Sequence, residues 1–507
     1  MANEIELKLA IQKERAEQWM RSAWLDNINA KARPVQRLEN DYYDTPDLAL
    51  QQARMALRIR RAGDQWIQTL KTSGEQQAGL SRRGEWESAL SQPVLDLSLL
   101  PEGVLPEGVG DRLALSFTTH FTRQAWDVHT SSGSHIEIVL DQGEVAVPPG
   151  SGGRRRQDPL CELEFELKSG HAFDLLMLAQ DLALHFPVQL LTISKAERGL
   201  RLLRPQETAR EKSLGRLDEG MSLLSLAQQL TGHWLDCWAR AHEAFAFDGQ
   251  EVHLLEAERY LSRLHALSVL LARQQTSCGL GDLRPNLSWL RQHLAPIGHQ
   301  MRRDRCLQSL SLSGRDALWR QGHLDYARRR QEYRQRWWQR EVGEATVACM
   351  VWAHQAGPEC RGELDKPWRQ VAINLLDEQV KRLQLPKQPL VIEGWTHRLG
   401  ALMRLETLLL LLAPESGGYR QAVELREGVE WLTGFSILLD EDNLPESLHH
   451  HLLQQSRQWM LQLGRQGQAL SAQLDQWCHQ VVPSSSLEGA SDFAPPHLTT
   501  DSNPVAE

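Results

Sequence analysis

The sequence predicts an α+β protein in two parts, an antiparallel β-meander with flanking helices followed by an all-α region. Three observations carry this. Strand-length segments up to about residue 168 alternate charged with aliphatic side chains, the period of a strand with two unlike faces. From about Arg204 the alternation stops, and segments rich in Leu, Ala, Arg and Gln recur at helical spacing to about Gln480. The tail from Pro483 is Ser/Pro/Asp-rich with few aliphatics and reads as disordered. The expected boundaries are 1–203 for the strand-rich domain, 204–218 for a polar linker, 219–481 for the helical domain and 482–507 for the tail.

A chain of 507 residues is long enough for two or more domains, each with its own core. A net charge of −9 argues against a bulk nucleic-acid binder and leaves room for local basic sites. Seven cysteines with no Cys-x-x-Cys pair fit a reducing compartment better than a disulfide framework or a structural zinc. The charged strand at the N-terminus leaves no room for a signal peptide. The most apolar run, Leu408 to Ala413, is too short to span a bilayer. The expectation is a cytoplasmic protein with no nucleic-acid or membrane partner.

Asn3 to Leu9 sets Glu4, Glu6 and Lys8 on one face against Ile5, Leu7 and Leu9. Glu14 to Asn29 reads as one amphipathic helix, with Ala16, Trp19, Met20, Ala23 and Trp24 at helical spacing and Pro34 at its exit. Asn40 to Asp44 is a strand running into the turn Thr45-Pro46-Asp47. Met55 to Arg61 opposes Arg58 and Arg60 to Leu57 and Ile59, and Trp66 to Lys71 puts Thr69 beside Lys71. Arg83, Glu85 and Glu87 share a face opposite Trp86, and Ala114 to Val128 carries Arg123 on more mixed faces.

The last two strands alternate most clearly. Glu137 and Asp141 oppose Ile136, Ile138 and Leu140, while Glu162, Glu164 and Glu166 oppose Leu163, Phe165 and Leu167. Between them, the loop Pro148 to Asp158 holds Arg154, Arg155 and Arg156. A helix over Phe173 to His185 and the run Ser194-Lys195-Ala196-Glu197-Arg198 follow. Helices over 222–246, 251–274 and 286–310 exemplify the second part.

Such a meander can lie open with its charges in water, or close into a barrel with the charges inside, since closure removes exposed edges. Arg and Lys concentrate on the early and middle strands, and carboxylates at Glu4/Glu6 and on the last two strands. Converging inside, neither set could be buried unpaired. Clustered carboxylates suit a hard divalent cation, Mg²⁺ or Mn²⁺, and clustered Arg and Lys suit a phosphate chain. Together they describe a cradle for a metal-bound polyphosphate.

The motif Glu4-x-Glu6-x-Lys8 resembles the ExExK signature of the CYTH family, the triphosphate tunnel metalloenzymes. Further motifs follow in the family's order: Tyr42-Tyr43-Asp44-Thr45, Leu57-Arg58-x-Arg60, Thr69-x-Lys71, Arg83-x-Glu85, Arg123, Leu140-Asp141 and Glu162-x-Glu164. The resemblance implies an eight-stranded antiparallel tunnel open at both ends. It implies that Glu4, Glu6, Glu162 and Glu164, with Asp141, hold metal. Lys8, Arg58, Arg60, Lys71, Arg83, Arg123 and Lys195 would grip phosphate oxygens. Glu85 and Asp141 would position or deprotonate the attacking water, with Lys8 assisting. Glu137 and Glu166 share that face, either as ligands or as salt-bridge partners.

The helical half resembles the CHAD domain, a histidine-bearing helical module able to hold polyphosphate, through Val252-His253 and His397-Arg398-Leu399. Glu256 and Gly400 stand where that family has basic residues. The basic aromatic stretch 328–340 is either a polyanion surface or a solvated helix face, and His449 to His451 either a metal site or an exposed patch. The activity expected is metal-dependent hydrolysis of inorganic triphosphate to pyrophosphate and phosphate. Thiamine triphosphatase, class IV adenylate cyclase and a non-catalytic polyphosphate-binding adaptor are the alternatives.

Overall fold

The computed structural model describes residues 2–148, 156–205, 214, 217–274, 283–309, 328, 330–355, 363–383, 390–440 and 446–481. Arg154, Arg155, Arg329, most of the linker and the tail from 482 lie outside the described residues. The chain divides into two compact units, Met1–Thr208 with Ala227–Cys360, and Ala209–Leu226 with Arg361–Glu507.

The first unit is built on an antiparallel sheet of β1 (Ala2–Ile11), β2 (Lys31–Ala32), β3 (Gln36–Asp44), β4 (Ala56–Ala62), β5 (Gln65–Gln77), β6 (Leu80–Leu90), β7 (Ala114–His129), β8 (His135–Val147), β9 (Arg156–Ser169) and β10 (Val188–Leu190). Strand order is β1-β6-β5-β4-β3-β7-β8-β9, and β9 pairs back onto β1 with Lys8 opposite Glu164. Eight strands therefore close into a barrel, which excludes the open sheet. β10 extends β1, and β2 pairs with β7.

Alternation then decides which side chains face out. Leu7, Leu9, Leu57, Ile59, Ile136, Ile138, Leu140, Leu163 and Phe165 are all buried, so the outer wall is covered. Leu57 and Leu70 pack with Leu50 of the short helix α3 (Ala49–Gln52), Leu100 and Val109. Helix α4 (Phe173–His185) packs on β1 and β9. Of the helices α6 (Leu223–Asp248), α7 (Glu251–Ala272), α8 (Leu283–Ser309) and α9 (Arg340–His354), the last lies against α4 and β10. The β5–β6 hairpin turns through Ala78 (φ 43°) and Gly79 (φ 82°), the two positive-φ positions of a primed turn. A Cβ on Gly79 would come within 3.0 Å of the terminal methyls of Met350, Leu190 and Leu7, which would have to shift, so the positive φ is the main reason for glycine here.

Two expectations change. The segment read as one helix over 14–29 is two, α1 (Lys13–Met20) and α2 (Ala23–Asn27), because Ser22 is extended (φ −79°, ψ 146°). This break lets Trp19 and Trp24 both turn inward, and Trp24 Nε1 donates to Asp181 at 2.7 Å. The lumen is also not charged from end to end. Inward-facing Tyr42, Phe117, Val145 and Val147 pack with Leu202 of α5 (Lys195–Leu203) as an apolar cluster.

In the second unit, α10 (Trp368–Leu383), α11 (Ile392–Thr396), α12 (Leu399–Leu412), α13 (Gly417–Leu439) and α14 (Glu446–Val481) pack as a helical bundle. Its buried Arg426 is paired with Glu406 and, at 2.8 Å, with Glu430. No helix among the described residues is long and apolar enough to cross a membrane.

Candidate active site

Antiparallel register stacks the inward side chains into rows. Glu4 stands opposite Arg83, Lys71 opposite Glu85, and Arg123 opposite Asp141, which in turn faces Glu162. Because side chains alternate, each row presents its ionised groups to one lumen.

One wall is carboxylate. Asp141 and Glu162 are fully buried, and with Glu164 they place three ligand oxygens within 4.8 Å of one another. Lys195 at the start of α5 puts its Nζ among them, 2.7 Å from Asp141, 2.6 Å from Glu162 and 2.9 Å from Glu164. A Ser194–Glu197 capping box starts that helix and aims Lys195 inward. Arg123 forks onto Asp141 and reaches Glu164 at 2.9 Å. Lys8 lies 3.0 Å from Glu6 and 3.4 Å from Glu164. Burial pushes the Glu164 carboxyl up, but Lys195, Lys8 and Arg123 outweigh it and hold the group well below the usual range. Asp141 is lowered for the same reason, burial being outweighed by Arg123 and Lys195.

The other wall is guanidinium, and among the described residues none of its arginines is in a salt bridge. Arg58 Nη1 meets the Tyr42 hydroxyl at 3.4 Å, Arg60 Nε donates to Asn40 Oδ1 at 2.9 Å, and Arg83 Nε donates to Ser81 Oγ at 2.9 Å. The Arg58 Nε is buried with no hydrogen-bond partner among the described residues. Burial, together with the charges of Arg58 and Arg123, pushes Arg60 down to about 9. Crowded cations with neutral partners call for an anion between them.

Between the walls, Lys71 Nζ bridges both Glu4 oxygens at 2.6 Å and lies 3.5 Å from Glu85. Burial and the nearby Glu4 raise the Glu85 carboxyl, and Lys71 opposes them.

The sequence candidates thus sort by geometry. Asp141, Glu162 and Glu164 come together, while Glu4 is held by Lys71 and Glu6 by Lys8. The donor set is all oxygen, and Glu162 Oε2 is buried without a hydrogen bond among the described residues, which fits a hard divalent cation. Glu137 and Glu166 are salt-bridge partners, Glu137 to Arg33 at 2.5 Å and Glu166 to Lys168 at 2.7 Å. Tyr42, Asn40 and Ser81, which orient the arginines, carry no charge pattern that would single them out. Arg198 was legible only as the residue three after Lys195; its Nη1 binds Asp158 at 2.8 Å and its Nη2 lies 3.8 Å from Glu162. In the helical half, His253 binds Asp248 at 3.0 Å and Glu256 at 3.5 Å, an internal contact. Arg328 pairs with Glu332 at 2.9 Å along one helix face. Among the described residues, His449 to His451 join no group of three possible metal ligands.

The sequence matches the CYTH domain family over residues 2–200. Residues 2–200 are a CYTH domain. The inorganic triphosphatase of Haemophilus influenzae is 33% identical over 204 residues, 40% of this chain and 55% of that protein. The matched part therefore spans about half the length of that relative. Among solved structures, a Hippeastrum protein described as an adenylyl cyclase with a dominant triphosphatase activity is 18% identical, with a TM-score of 0.28 over 38% of this chain and 93% of that one. PptA from Streptomyces chartreusis is 14% identical, with a TM-score of 0.36 over 51% of this chain and 99% of that one. The CYTH domain thus ends within α5, and the helices from α6 onward lie outside it.

Proposed function

We propose that the CYTH domain hydrolyses inorganic triphosphate to pyrophosphate and phosphate with the help of Mg²⁺ or Mn²⁺. The observation that carries this reading is the wall of Arg58, Arg60 and Arg83, whose partners are neutral, facing the carboxylates Asp141, Glu162 and Glu164. A chain of phosphates bearing several negative charges satisfies the first wall and, through a cation, the second. The triphosphatase name of the relative supports the same substrate class.

Asp141, Glu162 and Glu164 would hold the cation, and Glu4 and Glu6, which lie outside that group on Lys71 and Lys8, would join it only by leaving those partners. Bound there, it would offset charge on the phosphate oxygens. Arg58, Arg60 and Arg83 hold the oxygens from the other side, Arg123 reaches them from the carboxylate wall, and Lys8, Lys71 and Lys195 lend further positive charge. A water attacks the terminal phosphorus in line; the P–O bond to the bridging oxygen breaks, and pyrophosphate leaves. Glu85, with its raised pKa, accepts the proton from that water. Asp141 is too strongly held by Arg123 and Lys195 to serve as the base, and its part is to bind.

Phosphate release from tripolyphosphate, thiamine triphosphate, ATP and longer linear phosphates, with and without divalent metal, tests the reading. Metal-dependent release greatest with tripolyphosphate is expected. Thiamine triphosphate turned over far faster than the rest would overturn the substrate. Tight phosphate-chain binding with no release would favour the adaptor.

A further inference from the structure

We infer that Glu243 and Arg240, on α6 outside the CYTH domain, are positioning residues for Lys195, so that the helical segment completes the carboxylate wall of the barrel. The inference rests on the reading of that wall given above.

The segment that delivers Lys195 is held on both sides by one helix. Glu243 Oε1 accepts from the Thr192 amide at 2.5 Å and the Ile193 amide at 3.4 Å, and the Thr192 hydroxyl lies 3.0 and 3.1 Å from the two carboxylate oxygens. These amides immediately precede Ser194, the cap of α5. On the far side, Arg240 Nη2 donates to Glu197 Oε1 at 2.7 Å. Glu197 Oε2 in turn accepts from the Ser194 amide at 2.9 Å, closing the capping box. Lys195 lies between these two grips. Asp236, Arg240 and Glu243 stand at i, i+4 and i+7, on one face of α6, and Asp236 accepts from the Gly79 amide of the β5–β6 turn at 2.8 Å. This charged stripe spends its polar groups on the barrel's backbone and on the cap of α5.

A segment held this way fixes the reach of the Lys195 ammonium, which must stay within hydrogen-bond distance of three oxygens at once. A shift of an ångström would lose these contacts. The same three carboxylates are those offered to a divalent cation, so ammonium and cation compete for their charge. Loosening Lys195 should therefore strengthen cation binding while weakening turnover, an opposed pair of effects that general destabilisation would not produce.

The test is a double-mutant cycle in the full chain, read by Mn²⁺ binding in electron paramagnetic resonance and by kcat/KM for tripolyphosphate. Glu243→Ala should tighten Mn²⁺ and lower kcat/KM, each about tenfold. Lys195→Ala should do the same, and the double variant should go no further than Lys195→Ala alone. Glu243→Gln, whose amide oxygen still accepts from the two backbone amides, should stay near wild type. Equal effects of Glu243→Ala in both backgrounds, or unchanged Mn²⁺ affinity, would overturn the inference. Should Glu243→Ala not fold, Arg240→Ala carries the same cycle through Glu197. A wild-type chain without triphosphate turnover would remove the proposed function and leave the Mn²⁺ cycle to be read by itself.

Discussion

Arg123 grips Asp141 through two parallel hydrogen bonds, Nε to Oδ1 at 2.7 Å and Nη2 to Oδ2 at 2.6 Å, while the same Nη2 reaches Glu164 at 2.9 Å. Asp141 is fully buried, so its charge depends on this fork and on Lys195. Arg123→Ala should lower stability by about 3 kcal/mol, the scale for removing one member of a buried pair. Arg123→Lys should recover part of the stability but less of the activity, because an ammonium cannot match both oxygens. Urea unfolding of the two variants beside kcat/KM would show it; equal stability of Arg123→Ala and wild type would refute the dependence.

Glu197 gives the fold an acid-sensitive joint. Burial raises its carboxyl, but Arg240 and the Ser194 amide outweigh this and hold it at about 2, against an ordinary value of 4.5. A group lowered by folding stabilises the native state fully above its unfolded value, and this contribution disappears as pH falls from about 4.5 towards 2. Glu197→Gln should therefore be less stable than wild type at pH 7 and show a shallower loss over that acid window. Denaturant midpoints measured at half-unit pH steps decide it, and parallel curves for both proteins would count against the joint.

The strands were legible because they speak in period two, β1, β8 and β9 each opposing carboxylates to aliphatics, but that period fits an open sheet as well, and the closed barrel was implied only by the family resemblance. Residues 14–29 misled because Trp19 and Trp24 fit one helical stripe, and nothing local reports the extended Ser22 between them. The bridge from Glu137 to Arg33 was hidden for a related reason. Arg33 sits after β2 in a segment without alternation, so its reach is set by the tertiary fold. The same holds for Glu243, whose value lies in amides fifty residues upstream. The apolar part of the lumen was equally illegible, since its packing depends on where Leu202 of α5 comes to rest.

Arg60 illustrates a residue kept at a cost to the empty fold. Its pKa is pushed down to about 9 by burial and by Arg58 and Arg123, so folding disfavours its charged form. An uncharged residue of similar length relieves that conflict. Arg60→Met should raise stability at pH 7 by roughly 0.5–2 kcal/mol. It should also raise KM for tripolyphosphate about tenfold or more, with a smaller change in kcat, as expected when ground-state grip is lost. Thermal unfolding without phosphate, set beside steady-state kinetics, tests both halves. A variant less stable than wild type would mean that the arginine is satisfied without an anion.

Glu85 ties the pH profile to its neighbours on β1 and β5. Its carboxyl is raised by burial and by Glu4, and lowered by Lys71 at 3.5 Å. Acting as the base, it must be ionised, so kcat/KM should climb with pH through its raised value and level off above it. Glu85→Gln should remove that limb and lower kcat by about 10²–10⁴-fold. Glu4→Gln removes one of the charges raising Glu85 and frees Lys71, now bound to both Glu4 oxygens, to turn towards Glu85. Both changes favour the carboxylate. The residual activity of Glu4→Gln should therefore carry its acid limb about one pH unit lower than wild type. Profiles taken at saturating metal separate this from weakened cation binding, and a limb that stays in place or moves upward would exclude Glu85 as the group titrating.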